Sequence, residues 1–185
     1  AALGHYRVNP FLFRDYWADV GTVASFYEAN ILLTRREPPF QFYDPHKPIY
    51  THPRFLPGSR LSDCRIRDVI VTEGGYLDRC TIEESVVGIR TSVRQGATVR
   101  RSVLLGADFY ESDNGAAIRR GRPALGIGRD VVLDGVIVDK NARIGDGARL
   151  VNEARVPHAD GDGYYIRDGV IVVPKEGVIA PGTTV

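Results

Sequence analysis

The chain has 185 residues, a formal net charge of +1 at pH 7, 43% hydrophobic and 25% charged residues. That is ordinary globular composition, with length for one large domain or a domain plus a fragment. Basic residues are scattered between acids and no apolar run approaches the ~20 residues of a membrane span, so neither nucleic acid nor a membrane is an expected partner. Two cysteines do not make a disulfide scaffold, and a reducing compartment is the default. No basic and apolar leader opens the sequence, so no secretory signal is expected, and the lack of any Met fits a processed or truncated chain.

In chain order, VNPFLFRDYWADVGT mixes aromatic residues with a strand-like FLF and a Gly-containing turn. Then Val23, Phe26, Tyr27, Ile31 and Leu32 recur near helical spacing behind Thr22, a candidate N-cap, which predicts a helix over 23–34. Residues 37–60 carry six of the eleven prolines, denying helix interiors and central strands, so this stretch reads as an extended linker rich enough in aromatics to lie on a surface.

From residue 61 the sequence repeats. CRIRDVIV (64–71), CTIEESVV (80–87) and ATVRRSVL (97–104) begin 16 and then 17 residues apart. The beat resumes with IG at 127–128 and 144–145, offset 17, and with GVIV at 135–138 and 169–172, offset 34. Within one period aliphatics fall every five to six residues: Ile66, Val71, Leu77, Ile82, Val87, Val93, Val99, Leu104. That is too slow for strand alternation and too irregular for a helix stripe. Three steps per period describe a coil with three short sides, the hexapeptide-like pattern of a parallel left-handed β-helix with some steps shortened to five. One coil cannot bury its own interior, so stacked coils supply the core.

Cys64 and Cys80 take equivalent places in neighbouring coils, about one strand spacing (~4.8 Å) apart. An interior ladder of small residues is the favoured reading, although a disulfide is geometrically conceivable. Two segments leave the beat, 106–123 and 152–165, and read as excursions from a corner, where binding or assembly surfaces concentrate.

Phosphate-cradling motifs GxxxxGK[ST] and GxGxxG do not occur, and the glycines at 126 and 128 read as coil corners. His5, His46, His52 and His158 are dispersed and neither cysteine sits in a CxxC pair, so zinc is not expected. Asp19, after an aromatic pair and before a Gly turn and helix start, is placed where a carboxylate could hold Mg²⁺ or a sugar hydroxyl, or simply cap the helix. Lys140 and Lys175 follow equivalent strands as GVIVDK and GVIVVPK, so both should emerge at one edge of the β-helix, where two ammonium groups attract an anion.

The blocks DYWADVGTVASFYEAN, PIYTHPRFLPGSRL, LLGADFYESD, IVDKNARIGDG and DGYYIRDGVIVVPK together resemble the C-terminal part of glucose-1-phosphate adenylyltransferase (ADP-glucose pyrophosphorylase) of the cyanobacterial and plant small-subunit type, over nearly all 185 residues. The resemblance implies a division into 1–36, a short α/β remnant closing a nucleotidyltransferase domain, the linker 37–60, and 61–185, a mainly β regulatory and oligomerisation domain.

In that family ATP and α-glucose 1-phosphate give ADP-glucose and diphosphate, the step that feeds glycogen or starch synthesis. The resemblance implies that Asp19 contacts Mg²⁺ and the sugar phosphate, with Trp17 and Gly21 shaping that pocket. It implies an allosteric anion site of Lys140, Lys175, Arg54, His52 and Asp139, taking 3-phosphoglycerate as activator and phosphate or sulfate as competing inhibitor. It further implies a homo- or hetero-tetramer in a bacterial cytoplasm or plastid stroma. The chain has neither the family's GGxGTRL loop nor its EKP segment, so by itself it is expected to be inactive.

Two other readings compete with this one. The first is a free-standing β-helix scaffold that assembles with a separate catalytic chain. The second is a hexapeptide-type acyltransferase using His158 as general base, although His158 falls inside an excursion.

Overall fold

The structure, a computed structural model, describes residues 8–111 and 121–185. Sixteen short strands and one helix are present among them, and no described helix is long and apolar enough to cross a membrane.

From Arg60 the chain winds into parallel coils with three sides. The first side stacks β1 (Arg60–Ser62), β3 (Tyr76–Asp78), β5 (Ser92–Val93), β8 (Gly126–Ile127), β11 (Arg143–Ile144) and β16 (Val178–Ile179). The second side takes the first halves of β2 (Arg65–Val71) and β4 (Thr81–Val87), then β6 (Thr98–Arg100), β9 (Val132–Asp134) and β12 (Arg149–Leu150). The third takes the second halves of β2 and β4, then β7 (Val103–Leu104), β10 (Val136–Val138) and β15 (Val170–Val173).

Left-handed backbone turns the chain between sides. At the corner joining the second and third sides, Asp68, Glu84 and Arg101 have φ of 54°, 48° and 41°, and Gly135 has 71°. Such a conformation is unfavourable for a non-glycine residue, and the flanking ladder bonds hold it in place.

The five- and six-residue steps are the inner columns. Leu61, Leu77, Val93, Ile127, Ile144 and Ile179 stack on the first side. Ile66, Ile82, Val99, Leu133 and Leu150 stack on the second, and Val71, Val87, Leu104, Val138 and Val173 on the third. Cys80, Ala97, Val131 and Ala148 are buried at equivalent places of successive coils, the ladder of small residues expected there. Both cysteines are free thiols, with sulfurs 3.5 Å apart.

One register differs from the sequence expectation. The two GVIV segments align at offset 34, but β10 pairs with β15 as Val136↔Ile171, Ile137↔Val172 and Val138↔Val173, an offset of 35 (173 less 138). The extra residue is absorbed in 152–169, where the second excursion forms an antiparallel hairpin, β13 (His158–Gly161) and β14 (Tyr164–Arg167). β14 then pairs antiparallel with β15, so the parallel helix carries antiparallel strands along one edge. A slip of one residue exchanges the two faces of a strand. Ile171 rather than Val170 therefore joins Val136 in the interior.

GVIV is apolar throughout because both of its faces are covered. Val138 and Ile171 point into the coil, while Val103, Ile137 and Val170 form a second buried cluster on the outside of the third side. The helix α1 (Val23–Leu32) lies across that outer face, packing Val23, Phe26, Tyr27 and Ile31 on it. Its start is a capping box, with Thr22 accepting from the Ser25 N–H and the Ser25 hydroxyl accepting from the Thr22 N–H. The helix ends two residues short of the expected 34.

Residues 37–59 contain no helix or strand and are largely exposed, as the proline content requires. Of the first excursion, 112–120 lie outside the described residues.

Candidate functional site

The corner where the third side meets the first builds a column of its own. Arg90 donates its N–H to the Glu73 carbonyl, Ala107 to that of Ile89, Asn141 to that of Gly106 and Glu176 to that of Lys140. The corner therefore climbs from Glu73 through Ile89, Gly106 and Lys140 to Lys175. The 35-residue register is what makes the two lysines direct neighbours, one rung apart.

The first excursion leaves this corner at Gly106. Its φ of 86° and the 2.0 Å approach of the Ile89 carbonyl oxygen to any added Cβ restrict the position to glycine. Two residues later the Asp108 carboxylate receives the Lys140 Nζ at 3.0 Å on one oxygen. The other oxygen takes the Lys175 Nζ at 3.4 Å and the Asn141 Nδ2 at 3.1 Å. Asn141 completes the arrangement by accepting the Asp108 backbone N–H at 2.8 Å. The Lys140 contact, opposed by burial and reinforced by Asn141 and Lys175, holds the Asp108 carboxyl below its usual range. Asp139 accepts the Lys140 backbone N–H at 2.6 Å, which fixes the corner and turns the lysine side chain outward.

The rest of the described excursion is tied down on the first side. Tyr110 donates its hydroxyl to the Gly74 carbonyl at 3.0 Å, stands edge-on to Tyr76 and lies under the Arg90 guanidinium. Glu111 bridges Arg143 at 2.7 Å and accepts the Leu125 N–H at 2.7 Å, gripping the chain where it re-enters the coil.

His52 and Arg54 are not part of this cluster. They line a separate cavity of about 440 Å³ with Thr51, Pro53, Glu73 and Ile89. Glu73 and Ile89 belong to the same corner column, so that cavity opens on the lysine edge. It is two rungs lower counting from Ile89 to Lys140, about 10 Å at ordinary strand spacing.

Asp19 and Trp17 lie on the exposed segment ahead of α1, and neither is among the residues that contact Asp108 or line the His52–Arg54 cavity. Among the described residues no group of three or more His, Cys, Asp or Glu is placed to hold a metal ion. Mg²⁺ is commonly held by one or two carboxylates plus substrate phosphates. Asp19 fits that role only as one ligand of a set whose other members the described residues do not supply. His158 stands exposed on the hairpin, 3.8 Å from Asp168, with nothing to exclude water around it. That is not the enclosed arrangement a general base for acyl transfer needs.

The lysine corner therefore has the donor geometry of an oxyanion cradle. Two ammonium groups and a side-chain amide converge on one oxyanion, with no nucleophile paired to a base among them. Sequence reasoning singled out both lysines and missed Asp108 and Asn141. Coil spacing could not have placed Asp108, which lies in the excursion that leaves the repeat, whereas Asn141 directly follows Lys140 at the corner.

A family model, the GLGC left-handed parallel beta-helix domain, matches residues 54–184. The match includes Arg54, Asp108, Lys140 and Lys175, and leaves Trp17, Asp19 and His52 outside.

Proposed function

The chain belongs to the GLGC left-handed parallel β-helix family, the C-terminal domain of glucose-1-phosphate adenylyltransferase, and from that premise we propose that it is the regulatory and assembly part of such an enzyme. In this reading an accompanying nucleotidyltransferase domain condenses ATP with glucose 1-phosphate to ADP-glucose and diphosphate, and the β-helix senses anions. The chain alone is inactive, and the working enzyme is a tetramer of the bacterial cytoplasm or plastid stroma.

The observation that carries the regulatory reading is the convergence of Lys140 and Lys175 on a single carboxylate. Two cations that already gather an oxyanion have the geometry to gather 3-phosphoglycerate, phosphate or sulfate through charge-assisted hydrogen bonds. His52 and Arg54, lower on the same edge, extend the positive rim along which such a ligand would approach. Asp139 serves by setting the backbone of Lys140 and not by touching the anion. Asp19 contributes one carboxylate toward Mg²⁺ and the sugar phosphate, and Trp17 the wall beside it. Bound Mg²⁺ would supply charge neutralisation at the phosphates.

In an enzyme carrying this chain with its nucleotidyltransferase domain, Lys140→Ala and Lys175→Ala should weaken activation by 3-phosphoglycerate, raising the half-activating concentration about tenfold. Basal turnover should change little. Each lost charge-assisted contact is worth roughly 1.5–3 kcal/mol at most, less where water screens it. An unchanged activator response in both variants would overturn the assignment.

A further inference from the structure

We propose that Asp108 is a built-in competitor for the Lys140–Lys175 site. Its carboxylate occupies the place an anionic ligand would take, and so sets the charge a ligand must carry to displace it. The proposal rests on the anion-site reading above and adds to it the residue that selects among anions.

Three side-chain donors meet Asp108: Lys140 at 3.0 Å, Asn141 at 3.1 Å and Lys175 at 3.4 Å. A carboxylate carries one negative charge spread over two oxygens, which makes Asp108 a tethered oxyanion. Being part of the chain, it competes at high effective concentration. A free monoanion offers the lysines no more charge than Asp108 already does, and must also give up its freedom of motion. A dianion offers twice the Coulomb attraction to each ammonium group. The arrangement thus favours doubly charged ligands.

Displacement is cheap in energy and local in structure. The side chains of Lys140, Asp108 and Lys175 are 34%, 36% and 56% exposed, so the contacts to be broken are water-screened. The backbone beneath Asp108 is held independently: its N–H stays on Asn141 Oδ1, and the preceding Ala107 N–H stays on the Ile89 carbonyl. The carboxylate can swing aside by side-chain rotation while the start of the excursion remains in place. Asp139 at the same corner is already engaged with the Lys140 N–H and does not supply this function.

Sulfate, a dianion across the neutral range, is the probe. It would be titrated calorimetrically into the full chain, into Asp108→Asn, and into Lys140→Ala and Lys175→Ala, at low and at raised chloride. Asp108→Asn keeps size and a hydrogen-bond acceptor while removing the charge, and Asp108→Ser removes the same charge with a smaller side chain. Both should bind sulfate roughly three- to tenfold more tightly than the unaltered chain, as expected for removal of two screened ion pairs. In both, chloride should compete better against sulfate. The two lysine variants should bind sulfate more weakly.

If Asp108 only pinned the excursion, its substitution would leave sulfate affinity equal or lower. That result, with the lysine variants still weakened, would overturn the competitor proposal and leave the anion site standing. Lysine variants that bind sulfate as the unaltered chain does would remove the anion-site reading and the proposal together.

Discussion

Tyr27 donates its hydroxyl to the carbonyl oxygen of Arg101 at 2.6 Å, pinning α1 to the corner where the second side of the β-helix turns into the third. The bond belongs to an otherwise apolar contact between Phe26, Tyr27 and Ile31 and the outer ladder of Val103 and Ile137. It is the directional element of that contact.

Tyr27→Phe should cost about 0.5–1.5 kcal/mol, the net worth of one such bond. The phenol is pushed up to about 12 from its ordinary value of 10, chiefly by burial, with Asp134 and Glu84 adding to the shift and Arg101 opposing it. A group whose folded-state value is raised contributes stability that is intact below the unfolded value and lost as pH rises through the folded one. Urea midpoints should therefore fall between pH 10 and 12 more steeply for the wild-type chain than for Tyr27→Phe. Parallel slopes in the two proteins would show that Tyr27 ionisation is not linked to folding.

The inner column of the first side predicts a gradient of substitution costs. Ile144 has no exposed surface and is stacked between Ile127 and Ile179, whereas Leu61, on the outermost rung of the same column, is 46% exposed. Ile144→Ala should destabilise by about 2–5 kcal/mol, since it removes transfer energy and leaves a cavity its neighbours cannot fill. Leu61→Ala should cost less than half as much, because water already reaches that site. Chemical denaturation of the two variants, measured side by side, checks the difference; equal losses would refute it.

Glu111 and Arg143 are the least exposed ion pair described in the chain, at 16% and 13%. Burial pushes the Glu111 carboxyl up, but the Leu125 N–H and Arg143 outweigh it and leave the value below its ordinary 4.5. A depressed carboxyl contributes stability that is full above the unfolded value and lost as pH falls through the lower folded one. Glu111→Gln should cost roughly 1–3 kcal/mol at neutral pH, less than a fully buried pair would. The loss should shrink below pH 4.5 as the wild-type carboxyl protonates. Thermal unfolding followed from pH 7 to pH 3 would read this as converging curves, and curves that stay apart would count against it.

Much of the lysine corner was legible in the sequence. The repeat placed Ile66, Leu77, Ile82 and Leu104 in the interior, and the two GVIV segments announced that Lys140 and Lys175 leave the coil at one edge. The rest depends on contacts between distant parts of the chain. Asp108 lies 32 residues before Lys140, in a segment that departs from the repeat, and periodicity carries no information about where such a segment returns. The same holds for His52 and Arg54, whose linker has no regular structure to transmit a position.

By itself the sequence determined the coil, its three-sided period and the helix that precedes it. Inward and outward facing are local properties, repeated every five or six residues, and so can be read along the chain. Only the tertiary structure decided that Val136 stands beside Ile171 and not Val170, because that choice depends on how many residues the hairpin between the strands absorbs. One residue of register turns GVIV over and makes Lys140 and Lys175 neighbours, and the path of the excursion then delivers Asp108 to both.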